Sequence, residues 1–419
     1  MTYPAAMPLP RRLASALVPA LGLLAATLVA PPAQAADAQK ARFTQYSSSA
    51  ELRKGSLSGV RVAGGTVTLR SPKKVLTRSG VRYRYGSWTS PWASTGFDAR
   101  SLVPSWNATT PKGTWVRVQV RVRDGRKVGS WDTVADWASG TDVLRRTSLS
   151  AQADDLAQVN TDTVVARGSH RFRQWQVRVM LVRRSGSSAT PSVTSVSGAA
   201  AGYTTRSRST SPTTMTRTVE LNVPYASQMI HRGHHGGRYG AGGEAWCSPT
   251  SVSMVLRYWG RGPTAAGYAW TGEKEGFVDH AARYTIDRRY GGTGNWPFNT
   301  AYAGLFGLDA FVTRLYDLRD AERFVQAGIP VVVSVAFGKG GLTGAPISST
   351  AGHLMVIRGF TRDGRVIAND PAGSSSTAQQ VRRVYQRAQF ERAWLRGSGG
   401  ITYVMRPANK ALPKDTARW

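Results

Sequence analysis

The sequence holds a single cysteine, Cys247, in 419 residues. With no second thiol there is no intrachain disulfide, and a cysteine kept unpaired in this way is a candidate reactive group. Acidic residues are also scarce: 24 Asp and Glu stand against 55 Lys and Arg, for a formal net charge of +31 and a pI near 11.2. Histidines number only six. Past the N-terminal segment, no hydrophobic stretch is long enough to span a bilayer. The patterns of zinc fingers, RNA-recognition modules and basic zippers are missing, so no specific nucleic-acid partner is expected.

What is present begins with Arg11-Arg12, an apolar run over residues 13–30 and Ala33-Gln34-Ala35. This order of charge, apolar stretch and small-residue site reads as a secretory signal peptide over 1–35 with no retained anchor. The surroundings of Arg11-Arg12 fit twin-arginine export poorly. Residues 1–35 carry two arginines and no acids, so their removal takes the charge from +31 to +29. A secreted protein this basic is expected to associate with anionic polymers such as the teichoic acids or acidic glycans of a cell wall, or non-specifically with nucleic acid, unless the excess serves only solubility and codon usage.

The remaining length suits two domains. Residues 204–217 (TTRSRSTSPTTMTR) have no apolar period and read as a linker. Before it, residues 42–203 are written in period two. Val116, Val118, Val120 and Val122 alternate with Arg117, Gln119, Arg121 and Arg123, and Asp124-Gly125 supplies a hairpin signal. Val81, Tyr83 and Tyr85 alternate with arginines; Trp175, Val177, Val179 and Leu181 alternate with Gln176, Arg178 and Met180. Short strands with one apolar and one basic face predict an all-β antiparallel sandwich. Trp88, Trp92, Trp106, Trp131 and Trp137 are candidate sugar-stacking rings, though tryptophans of sandwiches more often fill the core.

Residues 218–406 follow another grammar, with a C-terminal tail over 407–419. Apolar helical periods start at Cys247, at 276–283 and at 299–306, and 317–326 reads as a capped helix before Gly328. Strands are expected at 309–315, 330–337, 353–360, 365–370 and 401–405, the last as a closing strand. Helices ahead of an antiparallel sheet make this an α+β domain.

Cys247 sits where a glycine-rich loop meets a helix whose buried stripe is Val252, Val255, Leu256 and Trp259. A thiolate at a helix N-terminus is stabilised by the dipole and by free N–H groups. Pro249 suits the first turn because it has no N–H to leave orphaned. The turn near Asp363-Gly364 brings His353 and Asp370 to the same open end of the sheet, where a carboxylate can orient an imidazole. Nucleophile, base and orienting group are the parts that acyl transfer by a cysteine needs. A buried structural thiol is the plain alternative for Cys247.

Gln228, the run Trp246-Cys247-Ser248-Pro249-Thr250-Ser251, the block Gly352-His353-Leu354-Met355-Val356-Ile357 and Asn369-Asp370-Pro371 together resemble the C39-like cysteine peptidases of the papain-like superfamily, over roughly residues 219–406. The resemblance implies a papain-like fold, with Cys247 as nucleophile, His353 as general base and Asp370 orienting it. It also implies an oxyanion hole made by the Gln228 side chain and the Cys247 N–H, and no cofactor. Ser248 stands where family members often have glycine, and a long His/Gly insertion separates Gln228 from Cys247. Members fused to transporters process double-glycine leaders, a substrate that does not carry over to a chain without transporter segments.

The insertion, His231-Arg232-Gly233-His234-His235, reads as a flexible loop beside the active site and not as a metal site, because no second cysteine or partner motif accompanies it. His280 and His170 read as structural or solvated. The functional expectation is a secreted cysteine peptidase acting on peptide or isopeptide bonds. A wall-peptide amidase or transpeptidase with the same triad, and a non-catalytic wall-binding protein with a degenerate domain, are the alternatives.

Overall fold

The computed structural model describes residues 40–414 and 418–419, apart from 145 and 151. The signal-peptide segment falls outside the described residues. Two antiparallel sheets face each other in the N-terminal half. One runs Ala157–Asn160, Thr163–Ala166, Ser101–Thr109, Ser192–Ala201, Thr66–Leu69, Val60–Ala63, with Ala41–Tyr46 paired on Ser192–Ala201. The other has Thr147–Ser148, Asp132–Trp137, Thr114–Asp124, Phe172–Arg184, Val81–Thr89 and Ser56–Ser58 in order.

The period-two pattern becomes cross-strand register. Val116, Val118, Val120 and Val122 stand opposite Leu181, Val179, Val177 and Trp175, and all eight are buried between the sheets. Such facing pairs are the stabilising unit of a sheet, and a slip of one residue would turn the whole apolar set outward. Gly125 takes the left-handed conformation (φ 58°) that the expected turn requires. On the outer face the arginines are held by polar neighbours. Arg121 donates to Gln176 Oε1 at 2.6 and 2.9 Å, and Arg178 donates to Gln119 Oε1 at 2.8 Å.

In the C-terminal half an antiparallel sheet runs Leu308–Arg314, Ile401–Pro407, Val331–Phe337, Thr350–Phe360, Val366–Asn369, Arg382–Tyr385. One face packs on the helices Cys247–Tyr258, Phe277–Thr285 and Trp296–Gly304, through Val332, Leu354, Val356 and Tyr403. The other packs on Leu318–Gln326 and Arg387–Ser398, through Val331, Val333, Met355 and Ile357. This is an α+β domain. Among the described residues no helix is long and apolar enough to cross a membrane.

Ile401–Pro407, expected as a closing strand, lies inside the sheet between Leu308–Arg314 and Val331–Phe337. The helix Arg387–Ser398 returns the chain there, and its pattern is hard to see in sequence because part of its buried face is charged. Arg387 donates to Glu322 Oε1 at 2.6 Å, and Glu391 accepts from the Ser211 backbone and hydroxyl at 2.7 Å each. Residues 204–217 run along this domain: Met215 is buried, and Thr214 donates to Glu322 from both its N–H and its hydroxyl.

The sandwich and the α+β domain share apolar cores. Phe298 and Ala301 of the helix Trp296–Gly304 lie among the sandwich residues, and Val103 lies among those of the α+β domain. Asn107 closes the seam: its Nδ2 donates to Ala310 O at 2.9 Å, and its Oδ1 accepts from Ala310 N at 3.1 Å. A buried backbone pair left without such partners costs about 1–3 kcal/mol per group. Asn107→Ala should therefore lower the urea-unfolding free energy by at least about 1–3 kcal/mol, while both halves still unfold in one transition. Two separate transitions in the parent protein would contradict a shared core.

Candidate functional site

Cys247 is the first residue of the helix Cys247–Tyr258, and Trp246 before it offers no side-chain cap. The first turn is instead fixed to the sheet. The Ser248 hydroxyl is 3.0 Å from that of Tyr403, and Ser251 Oγ donates to Leu354 O at 3.0 Å, one residue from His353. The N–H of Cys247 belongs to the first helical turn, where no intrahelical acceptor exists.

The hairpin does what its turn position suggested. Val356 pairs with Asn369, so His353 and Asp370 emerge at one end of the sheet. His353 Nε2 and Asp370 Oδ1 are 2.7 Å apart, both buried, and the thiol of Cys247 is within hydrogen-bonding reach of the same ring. Asp370 uses its carboxylate fully. Oδ1 also accepts from Ala372 N at 3.0 Å, and Oδ2 accepts from Tyr385 OH at 2.7 Å. With Nε2 occupied by Asp370, Nδ1 is the ring nitrogen left for the sulfur.

Burial works against charge on His353, but Asp370 and then Cys247 outweigh it and raise the imidazolium to about 10. Burial would likewise raise Asp370; the facing imidazolium and the hydrogen bonds from Tyr385 and Ala372 bring it below the ordinary carboxylate range. Tyr385 was not legible as a site residue. It sits on the strand Arg382–Tyr385, whose sequence carries no chemical signature, and only the pairing of Val366 with Tyr385 brings that strand beside Asp370.

Gln228 joins the same cleft. Its N–H donates to Pro371 O at 2.8 Å, and its Nε2 donates to Glu244 O at 2.7 Å, which leaves one amide hydrogen uncommitted. Gly243 permits this approach, since a Cβ there would collide with the backbone of Gln228 and His231. Gln228, Cys247 and His353 line one cleft of about 710 Å³, with Tyr290 and Trp296 on its wall. A second pocket of about 340 Å³ shares Tyr290, Gly294, Trp296 and Gly397 with it and reaches Asn160–Thr163 of the sandwich. All four residues singled out from sequence thus meet in one place.

The His/Gly insertion is not the flexible loop expected. It folds as short 3-10 turns, with His231 fully buried against the helix Phe277–Thr285. His280 on that helix is structural: Nδ1 lies 2.8 Å from Tyr302 OH, and burial followed by Arg283 and Arg146 lowers its pKa to about 4. His170 pairs with Asp124 at 2.9 Å in the sandwich.

The charged pair has a pH signature. A histidine raised in the fold adds stability that is complete below its unfolded value, about 6.5, and vanishes as pH climbs through about 10. The depressed Asp370 adds stability above about 3.9, lost at lower pH. The melting-temperature gap between the parent protein and Asp370→Asn should thus be widest near pH 5–6 and shrink toward pH 10. A gap constant with pH would exclude an imidazolium–carboxylate pair.

Comparison with known proteins gives two family matches. Residues 42–201 match the Peptidase C39 N-terminal domain, and residues 220–400 match the Peptidase C39 like family. None of the curated proteins matches the chain. Among solved structures, a proposed C39-like peptidase from Bacillus anthracis is 19% identical, with 45% of this chain and 97% of that one covered at a TM-score of 0.28. A family two carbohydrate esterase from Cellvibrio japonicus is 7% identical, covering 52% of this chain and 50% of that one at a TM-score of 0.18. On the two family matches, the chain belongs to the C39-like peptidase family.

Proposed function

We propose that this protein is a secreted cysteine peptidase that hydrolyses peptide or isopeptide amide bonds. The observation that carries the reading is the convergence of Cys247, His353 and Gln228 on one cleft, with Asp370 buried behind His353 and 2.7 Å from its ring. The helix bearing Cys247 lies across an antiparallel sheet whose strand bears His353, an arrangement in keeping with a papain-like catalytic domain.

In the proposed reaction the Cys247 thiolate attacks the amide carbonyl carbon, and the π electrons move onto oxygen. The Cys247 N–H and the free amide hydrogen of Gln228 receive that oxyanion. His353, protonated and held by Asp370, gives its proton to the departing amine as the C–N bond breaks. Water, deprotonated by the now neutral imidazole, then releases the acid from the thioester. Preorganised donors of the Gln228 kind are worth about 2.7–4 kcal/mol of barrier.

Cys247→Ala should lower hydrolysis of peptide libraries or wall peptides by at least about 10⁴-fold, and Gln228→Ala should lower kcat by about 10²–10³-fold. Unchanged turnover in Cys247→Ala would leave the non-catalytic reading. Release or exchange of stem-peptide fragments without cleavage of linear substrates would instead favour an amidase or transpeptidase using the same residues.

The sandwich is proposed to dock the enzyme on an anionic wall polymer or glycan. Support comes from the outer face, where Arg123 sits 4.2 Å from the Trp92 ring, and Arg121 and Arg178 sit 4.6 and 4.2 Å from that of Trp131. Trp88, Trp106 and Trp137 are buried in the core and offer nothing to a ligand. Deleting the sandwich would strip Phe298 and Ala301 of their packing, so point changes are the cleaner test. Arg121→Gln with Arg178→Gln should weaken retention on walls and flatten its salt dependence; unaltered retention would remove the docking role from this face.

A further inference from the structure

The insertion between Gln228 and Cys247 builds a cluster that the peptidase chemistry does not use. Asp279, on the helix Phe277–Thr285, is fully buried and faces three imidazoles. Its Oδ2 lies 2.8 Å from His231 Nδ1, and its Oδ1 lies 2.9 Å from His234 Nδ1 and 3.0 Å from His235 Nε2. Donor atoms of His231, His234 and Asp279 all fall within 4.8 Å of one another.

His231 is the telling member. It is 0% exposed, yet neither of its ring nitrogens makes a hydrogen bond, and Asp279 Oδ2 is equally unpartnered despite the short separation. Nδ1 and the carboxylate oxygen are close without being aligned for a proton between them. Buried polar atoms left in this way are costly, and a cation between them would satisfy both. His234 has a carboxylate on its other side. With Nδ1 turned to the cluster, its Nε2 lies 3.6 Å from Glu273, near enough for that carboxylate to close on a metal-bound ring.

We propose that His231, His234 and Asp279 form a zinc site, with His235 held against Asp279 at its edge. Two imidazoles and one carboxylate are donors that zinc takes. These three protein ligands leave a fourth position that water would fill. Tetrahedral bonds of about 2.0–2.2 Å space neighbouring donors about 3.3–3.5 Å apart, so the separations of Asp279 from His231 and His234, 2.8 and 2.9 Å, would open by about half an ångström on binding.

The consequence lies in what the ion would fasten. The ring of His235 stacks on Trp246 at 6.2 Å and 19°, and Trp246 directly precedes Cys247. Three residues before His231 stands Gln228. Zinc would therefore pin both ends of the segment joining the proposed oxyanion donor to the proposed nucleophile against the helix Phe277–Thr285. The binding claim itself does not depend on catalysis.

The test is a zinc titration of the chelator-treated full-length protein carrying Cys247→Ala, so that the thiol cannot take the metal. Competition with a chromophoric chelator should show one equivalent bound, and zinc should raise the melting temperature. His234→Ala and Asp279→Asn should each weaken binding by at least about tenfold, the loss expected even for an outer-sphere partner. His234 is 19% exposed, so its truncation is the variant that keeps its fold. Less than one-tenth of an equivalent bound, or His234→Ala binding as tightly as its parent, would overturn the proposal and leave a hydrogen-bonded histidine–aspartate cluster.

Discussion

A carboxylate with no access to water must be matched on every side, and Asp370 imposes that demand on the centre of the α+β domain. It is met by His353 from one strand, by Tyr385 from another and by the N–H of Ala372 in the following turn. Meeting it fixes the ends of three strands and the tilt of the imidazole at once. Removing any partner would leave a buried charge short of compensation, which is why such groups organise their surroundings more than they stabilise the fold. The proposed reactivity of Cys247 inherits its geometry from this constraint.

The second constraint is the seam between the halves. Asn107 pairs with both backbone groups of Ala310, and Ser105 Oγ accepts from Val312 N at 3.1 Å, so the sandwich is hydrogen-bonded to the first strand of the C-terminal sheet. Arg146 of the sandwich side donates to Arg283 O at 2.7 Å, and Trp296 N donates to Asp162 at 2.9 Å. The pocket beside the cleft is therefore walled partly by the N-terminal half, through Asn160–Thr163 and Val165. Past Tyr290 and Trp296, the residues next to be met are those of the sandwich.

Much of this was legible in the residues. The valines at 116–122 and the apolar set at 175–181 announced strands, because a pleated backbone sends alternate side chains to opposite faces. Cys247 announced a helix start, and the turn at Asp363-Gly364 placed His353 and Asp370 at one sheet end. The helix Arg387–Ser398 was not legible, since Arg387 and Glu391 are buried in ion pairs and hydrogen bonds whose partners lie far away in sequence. The central place of Ile401–Pro407 was hidden for the same reason.

The sequence by itself determined the local grammar and the inventory of chemistry: one thiol, a histidine and an aspartate in one hairpin, and a glutamine upstream. Periodicity, caps and turns depend on neighbours a few positions apart, and these a linear reading contains. The tertiary structure alone decided that Cys247 meets His353, that Tyr385 completes Asp370, and that His231 and its neighbours close on Asp279. Each of those meetings joins segments separated by 15 to 106 positions, as 370 to 385 and 247 to 353 show. Burial and unmet hydrogen bonds select such meetings, and neither exists before the chain has packed.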